Sequence, residues 1–235
     1  PQTGAPVALG ALLYGMDQGI SLWGISILHA DVARQLAQNS PMAYHLLPSE
    51  DYLKSIANDA SHPVASFAGD AYAKEISTYG STINSTTELD NFLLASTTLN
   101  SSLIDYANGQ HDTLDFWTPP EGIEVSQIAG WGADTVAGIN FYTSGAVSAL
   151  TSRAPVRMYK PIFTEDGDGT VPIPSALMMA TSTSVKRYWV DLDKFNRDQS
   201  SERKHKDLLE ISSLEDFIKN IIKNSTSTLP AYILT

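Results

Sequence analysis

A chain of 235 residues is long enough for one large domain, or for a core with an inserted subdomain. Apolar residues at 43% and charged residues at 17% exclude a disordered chain. A net charge of −11 argues against a nucleic-acid partner, because phosphate binding relies on clustered Lys and Arg, and the absence of cysteine excludes disulfides and thiolate metal sites.

The opening residues Pro1-Gln2-Thr3-Gly4-Ala5-Pro6 carry no initiator Met and no basic-then-apolar leader pattern follows, so the chain reads as starting mid-fold. Residues 7–28 are fairly apolar but include Asp17, Gln18 and several glycines. A membrane span needs about 20 residues with few or no charges, so none is expected and the chain reads as soluble, compatible with a secreted or cell-envelope location. Up to Gly24 the pattern is a loop leading into short glycine-punctuated elements. Asp31 is placed to cap a helix through Gln38, with Val32, Leu36 and Ala33 or Ala37 along one side. Ser40-Pro41 predicts an N-cap and first helical position, with Pro48 ending the helix and Ser49-Glu50-Asp51 starting another.

From Ser61 to Asp112 the period is helical but thin in bulky apolar residues, as in a cap or lid, with a break at Asn108-Gly109-Gln110-His111. Strands are predicted around Val125 to Gly130, Val136 to Tyr142, Val156 to Phe163 and Val185 to Val190, and a helix over Ser175 to Thr181. Asp191 then opens a polar, solvated loop that holds His205. The final helix has a capping-box pattern at Ser212 to Glu215 and an apolar stripe of Leu214, Phe217, Ile218, Ile221 and Ile222. The Ser/Thr-rich tail after Asn224 reads as a linker. Alternation of strand, turn and helix in this half predicts an α/β layer architecture.

The chemistry concentrates in Glu165-Asp166-Gly167-Asp168-Gly169-Thr170-Val171-Pro172, a glycine-permitted turn able to hold one carboxylate in a set direction. A lone His follows in Arg203-Lys204-His205-Lys206-Asp207-Leu208-Leu209. An acid on a turn and a later His form the back half of a hydrolase triad in chain order: the Asp orients the ring, and the ring takes a proton from a nucleophile. The plain alternative is a solvated Asp-Gly turn and a surface His among lysines. Asp166 to Gly169 also hints at a calcium loop, but Thr170-Val171-Pro172-Ile173 supplies none of the further ligands, and neither metal nor cofactor is expected. His29, His45, His62 and His111 are scattered without metal-ligand spacing. No Gly-x-Ser-x-Gly elbow occurs; Gly19-Ile20-Ser21 and Gly24-Ile25-Ser26 begin correctly and then fail. Trp23, Ile25, Ile27 and Leu28 suit either a lipid-facing patch or a core cluster. Sequons at Asn84, Asn100 and Asn224 arise easily by chance in so Ser/Thr-rich a chain.

Several segments together resemble the lecithin:cholesterol acyltransferase-like α/β-hydrolases. Residues 1–6 are similar to the end of the family's Gly-Thr-Pro-x-x-Gly-Ala-Pro loop, and Asn39 to Ser49 to its Leu-Leu-Pro-Ser cap segment. Gly167 to Pro172 with Ser175-Ala176 matches its acid turn, and His205 to Leu209 resembles its base segment. The resemblance implies the C-terminal part of an α/β-hydrolase sheet with an inserted helical cap. Residues 1–6 would end a loop after a core strand, 7–120 form the cap, 121–223 the core with acid and base loops, and 224–235 a tail. It further implies Asp168 as the acid, His205 as the base, and a Ser nucleophile and oxyanion loop preceding Pro1. The expected activity is hydrolysis or transfer of acyl groups of a lipid ester, with residues 20–53 walling an apolar pocket. The implied partners are that lipid, the N-terminal half of the same fold, and a membrane surface touched transiently by the cap. The missing nucleophile leaves an alternative: a hydrolase-fold binding or structural module without catalysis.

Overall fold

The computed structural model describes residues 3–15, 30–144, 155–178, 185–225 and 228–235. It is a mixed α/β structure with two three-stranded sheets, each containing parallel strands. The chain divides into two compact units, Thr3–Asp112 with Val136–Phe163, and Thr113–Thr135 with Thr164–Thr235. Residues 136–163, grouped by sequence with the C-terminal core, thus belong to the first unit.

The first unit begins with α1 (Val7–Tyr14), where the sequence pattern suggested a loop leading into short glycine-punctuated elements and named no helix. Every residue from Val7 to Leu13 is buried, so the helix is apolar all round and shows no amphipathic period to read. Helix α2 (Ala30–Gln38) turns Ala33 inward and leaves Val32 and Leu36 exposed, so the bulky residues do not form its packed side. Ser40 precedes α3 (Pro41–His45) with Pro at the first helical position, and the Ser49 hydroxyl caps α4 (Glu50–Ser55). The segments Gly19 to Ser21, Gly24 to Ser26 and Trp23 to Leu28 lie outside the described residues.

Strand β1 (Ala65–Ala68) interrupts the stretch read as helical. Its four small and aromatic residues carry no strand signal of their own, and their partners are distant in sequence. A short 3-10 turn, α5 (Ala73–Tyr79), α6 (Thr86–Ser96) and α7 (Ser101–Leu114) follow. Helix α7 runs straight through Gly109, where a break was expected. A glycine costs a helix about 1 kcal/mol, and here tertiary bonds offset it: Asn108 donates to Asp90 (2.7 Å), and His111 meets the His45 carbonyl (3.1 Å). Sheet order is β1-β3-β4, with β3 at Thr135–Ser144 and β4 at Val156–Thr164, and β1 lies parallel to β3 with Phe67 opposite Phe141. Phe67, Phe92 and Phe141 form the aromatic centre, with ring centroids 5.1–5.4 Å apart. The free edge of β1 is closed by the 81–83 segment, Phe67 N donating to Ser81 O and Ile83 N to Ala65 O.

In the second unit β2 (Val125–Trp131) runs parallel to β5 (Val185–Asp191), and β6 (Ile233–Leu234) adds antiparallel to β5. The tail after Asn224 is therefore not wholly a linker. Helix α8 spans Ile173–Ala176, and the end of the longer helix expected there falls at residues 179–181, outside the described residues. The polar stretch opened by Asp191 is helix α9 (Leu192–Gln199), capped by the Asp191 side chain and braced by Asp193–Arg197 and Lys194–Asp198 pairs at i,i+4. Helix α10 (Ser212–Ile222) forms where expected, but without the capping box, since Ile211 is its N-cap, and Ile222, read as part of its apolar stripe, is exposed at the helix end. Val190, Leu192, Ile211, Leu214, Phe217 and Ile233 make this unit's core. Among the described residues no helix is long and apolar enough to cross a membrane.

The burial along α10 is graded, from Leu214 at 0% exposure to Ile222 at 78%. Leu214→Ala is expected to reduce stability by about 2–5 kcal/mol. Ile222→Ala should alter it by less than about 0.5 kcal/mol. Urea unfolding of both variants measures the difference, and equal effects would contradict this packing.

Candidate active site

The acid turn joins β4 to α8 and is tied down by its backbone. Gly132 N donates to Glu165 O (2.8 Å), Ala133 N to Gly167 O (3.0 Å) and Ile173 N to Asp166 O (2.8 Å). Gly167 packs so closely that an added Cβ would sit 2.4 Å from Thr135 Oγ1, and Gly169 has φ +94°, a conformation that favours glycine. These are local reasons for two glycines bracketing one Asp.

Asp168 is buried, and Asp166 is exposed. One carboxylate oxygen of Asp168, Oδ1, accepts from Thr170 N (3.1 Å) and Val171 N (2.9 Å). The other, Oδ2, lies 2.8 Å from His205 Nδ1. A second link, His205 N to Asp168 O at 2.7 Å, fixes the base segment to the acid's own peptide. A buried carboxylate is costly unless donors meet it, and here two amides and one imidazole nitrogen reach its two oxygens.

His205 opens a 3-10 helix (His205–Glu210). The loop before it is closed by Asn196 of α9, whose amide accepts from Arg203 N (2.7 Å) and Ser201 Oγ (2.9 Å) and donates to Arg203 O (2.9 Å). Arg203 also pairs with Glu210. The His205 side chain is 47% exposed, and among the described residues its Nε2 takes no partner. The hydrogen bond that the His205 ring donates to Asp168 raises the His205 pKa above its ordinary value, against a smaller opposing effect of burial.

The two residues singled out in the sequence are thus brought together. Asp59 and His62 form a second Asp–His contact at 2.7 Å, but between neighbours on an exposed turn, with Asp59 held low by that bond. His45 and His111 lie in the first unit, His29 lies outside the described residues, and no metal-binding cluster occurs among the described residues. Sequence reasoning passed over Thr135 and Asn196. Both are single polar residues whose partners become visible only once the turns are in place. No protein-family model matches the chain, and comparison with curated proteins finds no match.

Because Asp168 favours the charged imidazole, His205 is expected to titrate above about 6.5. The pair's stabilising effect is then complete below about 6.5 and fades as pH rises through the raised value. Asp168→Asn should bring the His205 pKa down. Histidine resonances followed by NMR through pH 5–9 test both, and an unchanged pKa in Asp168→Asn would contradict the contact.

Proposed function

We propose that the intact protein is a carboxylic ester hydrolase or O-acyltransferase acting on lipid esters, and that this chain supplies the acid and base of its Ser-Asp-His triad. The observation that carries the reading is the buried Asp168 carboxylate 2.8 Å from His205 Nδ1, with the ring half exposed beyond it. In this reading Nδ1–H donates to Asp168, which selects the tautomer whose Nε2 is unprotonated. Nε2 then takes the proton of a Ser hydroxyl as it attacks the ester carbonyl, and returns it to the departing alkoxide. Water or an alcohol deacylates the enzyme by the same path. The Ser belongs to residues preceding Pro1, as in the family the acid and base segments resemble, and with it the α/β-hydrolase sheet of which the second unit would be the C-terminal part. The cap would be drawn from residues 7–120.

The alternative is a binding module on the same scaffold. It is favoured by the lack of a Gly-x-Ser-x-Gly elbow between Pro1 and Thr235.

His205→Ala or Asp168→Asn in the intact protein should lower kcat for p-nitrophenyl ester turnover by about 10³–10⁴-fold, while Asp166→Asn leaves it near the parent value. The acidic limb of the rate profile should fall above about 6.5, because a raised His205 pKa keeps the base protonated to higher pH. Turnover by His205→Ala close to the parent rate would sink the assignment.

A further inference from the structure

Thr135 is fully buried at the start of β3, away from the two residues of the acid–base pair in sequence but against the acid turn in space. Its hydroxyl has both its roles filled. Oγ1 donates to Ala133 O at 2.7 Å, which commits the proton and directs a lone pair to Gly169 N, also at 2.7 Å. Gly169 N belongs to the peptide that leaves Asp168. On the opposite side, Ala133 N donates to Gly167 O, and Ala133 forms a parallel bridge with Asp168 itself. The Thr135 side chain also lies against Gly167, where an added Cβ would come within 2.8 Å of both its Cβ and its methyl, or nearer. The peptides before and after Asp168 are therefore both held by the Ala133–Thr135 segment, the first by backbone and the second by a side chain.

We infer that Thr135 is the positioning residue of the acid, its hydroxyl setting the direction of the Asp168 carboxylate by holding the Asp168–Gly169 peptide while its methyl fills the space beside Gly167. The catalytic part of this rests on the Ser-Asp-His reading; the geometric part does not. A rotation of the Asp168–Gly169 peptide would carry Oδ2 away from His205 Nδ1, because Thr170 N and Val171 N, which hold Oδ1, follow that peptide directly. The carbonyl of that peptide accepts from His205 N, and its N–H is held by the Thr135 hydroxyl, so a side chain that both donates to Ala133 O and accepts from Gly169 N completes the clamp. Serine can do so without the methyl, whereas valine keeps the shape and loses both hydrogen bonds.

The test compares Thr135→Val and Thr135→Ser in the intact protein, reading the His205 pKa by NMR, kcat and KM for a p-nitrophenyl ester, and thermal stability. Thr135→Val should bring the His205 pKa toward about 6.5. It should also lower kcat by about 10–100-fold with little change in KM, the scale on which small misplacement of a reacting group is felt. Thr135→Ser should restore most of both. A role in stability alone would lower the melting temperature of Thr135→Val and leave the His205 pKa in place, and that result would overturn the inference. If Thr135→Val does not fold, the unmodified protein decides: slow solvent exchange of the Gly169 amide supports the hydrogen bond, and exchange as fast as an open loop refutes it. Absence of any ester turnover would remove the acyl-transfer reading, while the His205 pKa of the variants would still decide the role of Thr135.

Discussion

The contact between Asp168 Oδ2 and His205 Nδ1 joins a nearly water-free carboxylate to a half-exposed ring, and the second unit is arranged to make that asymmetry stable. An isolated buried carboxylate would take up a proton or draw in water. Here two backbone amides from the following residues and one imidazole nitrogen reach its two oxygens, so the charge is met by directed donors. The exposed side of the pair is the imidazole, which gains and loses protons within the pH range of most biology.

Holding this contact requires space as well as donors. Gly130 of β2 lies beneath the acid: an added Cβ would stand 2.9 Å from Leu192 Cδ1 and 3.0 Å from Asp168 Cβ. Leu192 begins α9, the helix whose Asn196 closes the loop before His205. The strand, the acid turn and the base helix thus converge on one small residue. Leu208, three residues beyond His205, reaches the same place, so the packing that excludes water from Asp168 also locates the 3-10 helix carrying the base.

The chain leaves the second unit after Thr135 and returns at Thr164. Both residues of departure and return bond to the acid turn: Thr135 Oγ1 accepts from Gly169 N, and Thr164 Oγ1 accepts from Asp166 N at 3.1 Å. With Gly132 N on Glu165 O, the base of the excursion is closed by hydrogen bonds within the second unit itself. A long excursion enlarges the loop that must be closed, but only logarithmically in its entropy, so a few well-placed bonds suffice to set the turn's register.

The amino-acid sequence determined what depends on near neighbours. The strands β2 to β5, the Ser40-Pro41 and Ser49 helix starts and the stripe of α10 as far as Ile221 all follow from local spacing, capping and turn chemistry. Tertiary structure decided what depends on partners remote along the chain. Helix α1 is buried on every side, so no period marks it, and β1 is a strand because residues 139–142 pair with one edge and residues 81–83 with the other. Helix α7 survives Gly109 through bonds to other segments, and the tail becomes β6 by joining β5. Thr135 and Asn196 are unremarkable polar residues in the sequence. Their importance arises because a hydroxyl and an amide acquire meaning only from the donors and acceptors that folding brings within 3 Å.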